Sequence, residues 1–78
     1  MKKEFDFFID VRNEDCPVPM IKVDIVSRIL DKGELLKVAT NNVSSYQNIK
    51  NLISNKTSLT LVSQVRNNAD YLLYIKRI

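Results

Sequence analysis

Any chemistry in this chain must start from one atom. Cys16 is the single cysteine among 78 residues, and there is no histidine. The cysteine stands in "DVRNEDCPVPM", followed at once by Pro17 and two residues later by Pro19, with Asp10, Glu14 and Asp15 upstream. One cysteine excludes an internal disulfide and a cysteine-based zinc cage, and the lack of histidine excludes a Cys–His nucleophile pair and histidine-ligated metals. No metal or other cofactor is expected. Hydrolysis through a cysteine needs a general base, for which no conventional partner exists here. A thiol–disulfide oxidoreductase usually carries a second, resolving cysteine. A thiol that works alone can carry a group, accepting sulfur as a persulfide and passing it on. The opposite reading is a free cysteine that serves as a small buried hydrophobe, its commonest role.

Which reading holds depends on the elements around the thiol. "FDFFIDV" alternates, with Phe5, Phe7, Ile9 and Val11 on one face and Asp6, Phe8 and Asp10 on the other, which predicts a strand over 5–11. Val18, Ile21, Ile25 and Ile29 then follow helical spacing, with Val26 and Leu30 widening the apolar stripe expected to face the core. Proline is favoured at the first helical position, so the helix is expected to begin at Pro17 and to close at Gly33. "ELLKVAT" predicts a second strand over 34–40. A capping-box pattern from Ser44 to Gln47 precedes a short helix over 45–54, with Tyr46, Ile49, Leu52 and Ile53 as its apolar residues. "SLTLVSQV" and "DYLLYIKRI" read as two strands joined through a hairpin loop "RNNA".

The order strand, helix, strand, helix, strand, strand specifies an α/β (α+β) two-layer sandwich: a mixed four-stranded sheet with both helices on one face. At this length one domain over residues 1–78 is expected. Phe8, Leu72 and Tyr74 fall on the opposite sheet face, where partial burial against neighbours is the ordinary outcome.

In this arrangement Cys16 becomes the N-cap of the first helix. Unpaired backbone N–H groups and the positive end of the helix dipole point at that position and favour a thiolate. Pro19 lacks an N–H, so Val18 and Met20 are the expected donors to the sulfur. The neighbouring carboxylates of Asp15, Glu14 and Asp10 oppose ionisation. The residues alone therefore leave both readings of the cysteine open.

Composition narrows the partners. A net charge of +3 from twelve dispersed Lys and Arg is too weak and too scattered to predict direct nucleic-acid binding, and no phosphate loop or RNA-binding signature is present. No apolar run is long enough to span a bilayer, and "MKKEFDF" lacks the apolar stretch of a signal peptide, so a cytoplasmic location is expected. There a lone thiol stays reduced.

A CPxP motif after the first strand of a β-α-β-α-β-β chain of this length resembles the TusA family, also called SirA-like. The resemblance runs through "IDVRNEDCPVP", "GELLKV" and "LLYIKR". It implies a small sulfur carrier, a persulfide relay rather than a stand-alone multiple-turnover enzyme. Cys16 would be the persulfide acceptor, with Pro17 and Pro19 as shaping prolines. The implied partners are a sulfur-donor protein, either a cysteine desulfurase or another sulfurtransferase, and a sulfur-acceptor protein. The implied pathways are tRNA thiolation, cofactor maturation or sulfur oxidation. The alternative is a non-catalytic binding or regulatory module of the same fold with a structural or redox-sensitive cysteine. The chain departs from the family pattern in several places. Asn13 replaces the common glycine, and Glu14 a hydrophobic residue. Asn41, Asn42 and Val43 replace Asp-Asp-Pro, and Asn48 replaces a further aspartate. The usual Gly-His near the third strand is missing. These changes alter the charge and the partner contacts those acids provide.

Overall fold

Alternating apolar residues in four segments build one sheet, and two amphipathic helices cover one side of it. A computed structural model describes residues 5–14 and 17–78. The elements are β1 (Phe7–Asp10), α1 (Val18–Ile29), β2 (Leu35–Thr40), α2 (Val43–Ser54), β3 (Leu59–Asn67) and β4 (Asp70–Arg77). The spatial order is β1-β2-β4-β3. β1 pairs parallel with β2, setting Phe7 opposite Leu36 and Ile9 opposite Val38. β4 pairs antiparallel with both β2 and β3. This is the mixed four-stranded α+β sandwich that the order of elements predicts.

Leu36 and Val38 of β2 and Leu73 and Ile75 of β4 are fully buried, and on them sit Val23 and Leu30 from the first helical segment and Ile49 and Ile53 of α2. Phe7, Ile9 and Leu61 complete this layer from the edge strands. Each fully buried aliphatic side chain contributes about 1.5–3 kcal/mol of transfer free energy, so the central strands and the two inner helix faces dominate stability.

Several boundaries differ from the sequence expectation, each for a local reason. Phe5 precedes β1 rather than joining it, and its ring lies against Phe8, 5.8 Å between centroids, on the face away from the helices. α1 ends at Ile29 with Leu30 already extended, so Gly33 does not cap the helix. It takes φ +88° inside the turn that follows, a conformation glycine adopts without steric cost. Its N–H there donates to the Arg77 carbonyl at 2.7 Å. α2 starts two residues earlier than the capping box suggests. Asn42 is its N-cap, and Asn42 Oδ1 accepts from the N–H groups of Ser44 (2.8 Å) and Ser45 (3.2 Å). Asparagine leads the preferred N-cap residues, and here it outcompetes Ser44. The β3–β4 connection tightens to two residues, because Asn67 pairs with Asp70 and Asn68 supplies the positive φ (+58°).

β3 is an outer strand, and its pairing slips between Leu61 and Ser63. The extra residue, Val62, makes a bulge that bends this edge, a common device against edge-to-edge association.

Candidate functional site

The CPxP segment joins β1 to α1, and its flanks are tied down on both sides. Val11 prolongs the β1–β2 pairing through its N–H to the Ala39 carbonyl at 2.8 Å. The chain then turns: Glu14 N–H donates to the Val11 carbonyl at 3.3 Å, and Asn13 sits at φ +65°. Asparagine is among the few residues that tolerate this left-handed region, which accounts for its taking the place of glycine. Asn41, in the loop after β2, holds the turn with two bonds. Its Oδ1 accepts the Asn13 N–H, and its Nδ2 donates to Asn13 Oδ1, both at 2.9 Å. An aspartate at 41 could accept but not donate, so these two departures from the family pattern form one matched pair. Asn42 has its own structural task as the α2 cap, and Asn48 lies inside α2 rather than at its start. The pairing of Asn13 with Asn41 was not foreseeable from their separation of 28 residues; the only signal was that both positions depart from the pattern.

Cys16 and Asp15, predicted as acceptor thiol and adjacent acid, lie outside the described residues. Their neighbours are described. Pro17, not Cys16, is the residue flanking the helix, with φ −98° and ψ 10° and no side-chain cap bond. α1 begins at Val18, one residue later than the proline preference suggests, because the Pro17 carbonyl is the first acceptor of the helix, taking the Ile21 N–H at 3.0 Å. Val18, Pro19 and Met20 thus form the first three helical positions. Val18 and Met20 N–H have no acceptor within the helix, while Pro19 has no N–H to leave unpaired and is itself fully buried. Pro19 therefore anchors the first turn in the core, which leaves Val18 on the surface.

The upstream acids are engaged by cations. Arg12 binds Asp10 through Nε to Oδ1 (2.9 Å) and Nη2 to Oδ2 (2.8 Å), and reaches Asp70 through Nη1 at 3.3 Å. The bidentate Arg12 guanidinium, helped by the Arg12 backbone N–H, lowers the Asp10 carboxyl to about 2. Asp10 in turn raises the Arg12 pKa above its ordinary value. Lys22 on α1 donates to both oxygens of Glu14, at 2.7 and 2.9 Å. Two of the three acids expected to oppose thiol ionisation are thereby ion-paired, which reduces their repulsion of an anionic sulfur.

The largest correction concerns α1. The stripe expected in the core, Val18, Ile21, Ile25 and Ile29, faces outward, at 41, 53, 57 and 58% exposure. The buried face is instead Pro19, Val23 and Ser27, with Met20 and Val26 partly buried beside it. Ser27 is accommodated because its hydroxyl donates to the Asp24 carbonyl at 2.7 Å, a local bond that removes the cost of burying it. The helix carries two apolar stripes, and the one made of small residues packs. On the helix surface the outer stripe runs between Lys22 and Arg28, the latter bound to Asp24 at 2.8 Å, and Asp24 also takes Lys56 at 2.9 Å. Lys56 first, and Arg28 with it, hold the Asp24 carboxyl below its ordinary pKa.

Comparison with known proteins places this geometry. A family model described as "Sulfurtransferase TusA" matches residues 7–77. A protein of Halobacterium salinarum named "Putative sulfur carrier protein" is 28% identical over 69 residues, covering 88% of this chain and 85% of that protein. The crystal structure of a SirA-like protein from Desulfitobacterium hafniense superposes with a TM-score of 0.79 at 20% identity, over 91% of this chain and 96% of the other; at that identity the likeness concerns the fold. With the family match running from the first residue of β1 to the last of β4, the chain belongs to the TusA sulfurtransferase family.

Proposed function

We propose that the protein is a sulfur carrier that accepts a persulfide sulfur on Cys16 and relays it to an acceptor protein. Membership of the family across residues 7–77 carries this reading. The Cys16 thiolate attacks the terminal sulfur of a donor protein's cysteine persulfide. The donor's S–S bond breaks, its cysteine leaves as a thiolate, and Cys16 holds the new S–S⁻ group. In the second half-reaction a nucleophile of the acceptor attacks that terminal sulfur and Cys16 departs as thiolate. No electrons are gained or lost overall, so neither half needs a redox partner. The N–H groups of Val18 and Met20, at the positive end of α1, supply the setting in which an anionic sulfur is stabilised. The outer stripe of α1 begins two residues after the thiol and provides the apolar surface against which donor and acceptor dock. The reading places the protein in a reducing compartment such as the cytoplasm, where the thiol stays free. No helix among the described residues is long and apolar enough to cross a membrane.

The test is to incubate the full chain with a cysteine desulfurase and L-cysteine and to look by mass spectrometry for one added sulfur on Cys16. Absence of the adduct with several desulfurases that load a known carrier would sink the proposal. The Cys16→Ser variant separates it from a non-catalytic binding module: a carrier loses all sulfur transfer, whereas a module keeps its partner and its effect.

A further inference from the structure

The sheet face away from the helices has an unusual centre. Lys37 of β2 points into it, and its Nζ lies 5.3 Å from the Phe5 ring, 5.7 Å from Phe8 and 5.6 Å from Tyr74. None of the described carboxylates forms an ion pair with it. Beside it is a depression of about 320 Å³ lined by Leu35, Val62, Ser63 and Tyr74. Val62 stands at its rim because of the β3 bulge and is 54% exposed. Lys76 follows Tyr74 on the same side of β4, opposite Leu35 and Thr60. The face thus joins a shallow apolar depression of ligand size to a partly buried lysine whose ammonium aromatic rings hold in place and which none of the described carboxylates neutralises. The Tyr74 and Ser63 side chains add hydroxyl donors where the two parts meet.

We propose that this face binds an amphiphilic carboxylate, with the hydrocarbon chain in the hollow and the carboxylate against Lys37 and the two hydroxyls. Charge decides between possible occupants. A second copy packed face to face would bring Lys37 and Lys76 of both chains into one apolar layer, where the described carboxylate at its edge, Asp6, is already bound to the Leu35 N–H at 2.8 Å, an arrangement that burial penalises heavily. A single chain with one anionic end satisfies both parts. The site lies on the opposite side of the sheet from α1, so it stands or falls independently of the sulfur-carrier reading.

The experiment is a two-dimensional amide NMR titration of the full chain with sodium decanoate below its aggregation concentration. Saturable shifts are expected at Leu35, Lys37, Val62, Ser63 and Tyr74. Lys37→Met, which keeps an apolar stem without the charge, is expected to weaken binding roughly fivefold, the scale of one partly exposed ion pair. Decanol should bind the unaltered protein with the weakened affinity of that variant. Val62→Asp, a change at an exposed position, should also weaken binding and covers the case in which Lys37→Met does not fold. Shifts that do not saturate, shifts confined to α1, equal binding of decanol and decanoate, or binding to phosphatidylglycerol vesicles without binding of decanoate would each overturn the proposal.

Discussion

Replacing Ile25 with Glu tests both which face of α1 is packed and what the other face does. Ile25 is 57% exposed, so folding removes a little over two-fifths of its side chain from water. Full burial of such a side chain is worth about 1.5–3 kcal/mol, which makes the expected loss roughly 0.6–1.3 kcal/mol. Glu has the better helix propensity by a few tenths of a kcal/mol, so the net cost should be about 1 kcal/mol or less. Val23→Ala, at a fully buried position on the same helix, removes about two methylene equivalents and leaves a cavity. Its expected cost is roughly 2–3 kcal/mol. Urea unfolding of the two variants should separate them clearly, although isoleucine is the larger and more apolar residue. In a docked complex the exposed part of Ile25 would be worth roughly 1–1.5 kcal/mol, close to a tenfold change in affinity, and a buried carboxylate adds to the loss. Loading of Cys16 from a cysteine desulfurase, measured at sub-saturating carrier, should therefore fall by about tenfold or more in Ile25→Glu. Loading by inorganic polysulfide needs no docked protein and should be unchanged. If Ile25→Glu unfolds as readily as Val23→Ala, the assignment of helix faces is wrong. If desulfurase loading is unaffected, or both kinds of loading fall together, α1 is not the docking face.

Three further perturbations address the loops and caps. Asn41→Ala removes both bonds to Asn13 and should accelerate hydrogen exchange of the Asn13 amide, with a stability cost of about 1 kcal/mol from two exposed hydrogen bonds; an unchanged exchange rate refutes the coupling of the two loops. Asp10 has a folded-state pKa of about 2 against an ordinary 3.8, held down chiefly by its bond to Arg12. Because the folded pKa is depressed, its stabilisation is present above the ordinary value and disappears as pH falls through about 2. The urea midpoints of the parent and Asp10→Asn should accordingly converge between pH 4 and 2 at low salt, and a gap that stays constant over that range contradicts the assignment. Ser45 is fully buried on α2 and its Oγ has no hydrogen-bond partner among the described residues. Ser45→Ala should raise stability by about 1 kcal/mol, from relief of desolvation and better helix propensity, and a destabilised variant would show that the hydroxyl is satisfied.

The sequence made the architecture legible because strand periodicity and helix periodicity alternate cleanly along the chain and the crossover rules leave few ways to arrange them. Ile49 and Ile53 of α2 lie in the core as their spacing indicates. The same reasoning failed on α1, and the cause is physical. Helical spacing identifies a stripe but not what it packs against, and on α1 the more hydrophobic of the two stripes is the outer one. Sheet and α2 leave room at α1 for small residues, so Pro19, Val23 and Ser27 pack there, and a serine that bonds its own helix looks polar in sequence while behaving as a core residue. At the candidate site the motif and the tolerance of Asn13 for positive φ were readable, because both depend on one residue's chemistry. The Asn13–Asn41 clasp, and the engagement of Asp10 and Glu14 by Arg12 and Lys22, depend on which distant side chains the fold brings together.

The inverted helix also bears on how a carrier of this size can work. A relay has to bind a donor, release it, and bind an acceptor with the same thiol presented to both. An interface of standard size involves about 20–30 residues a side, and one tight enough to dissociate slowly would stall such a cycle. On the proposed reading, the outer stripe of α1 offers a partner four exposed apolar side chains, beginning at Val18, enough for a hot-spot cluster but not for a permanent complex. The rim carries cations that are already paired, Lys22 with Glu14 and Arg28 with Asp24, so a partner need not strip an unpaired charge of water in order to dock. The helix pays for this with solubility rather than fold stability, since the isoleucines contribute little to the core. Conservative changes among them, such as Ile25→Val, should therefore alter partner affinity while leaving the unfolding midpoint nearly fixed, and that separation of binding from folding is what a transient relay requires of its docking surface.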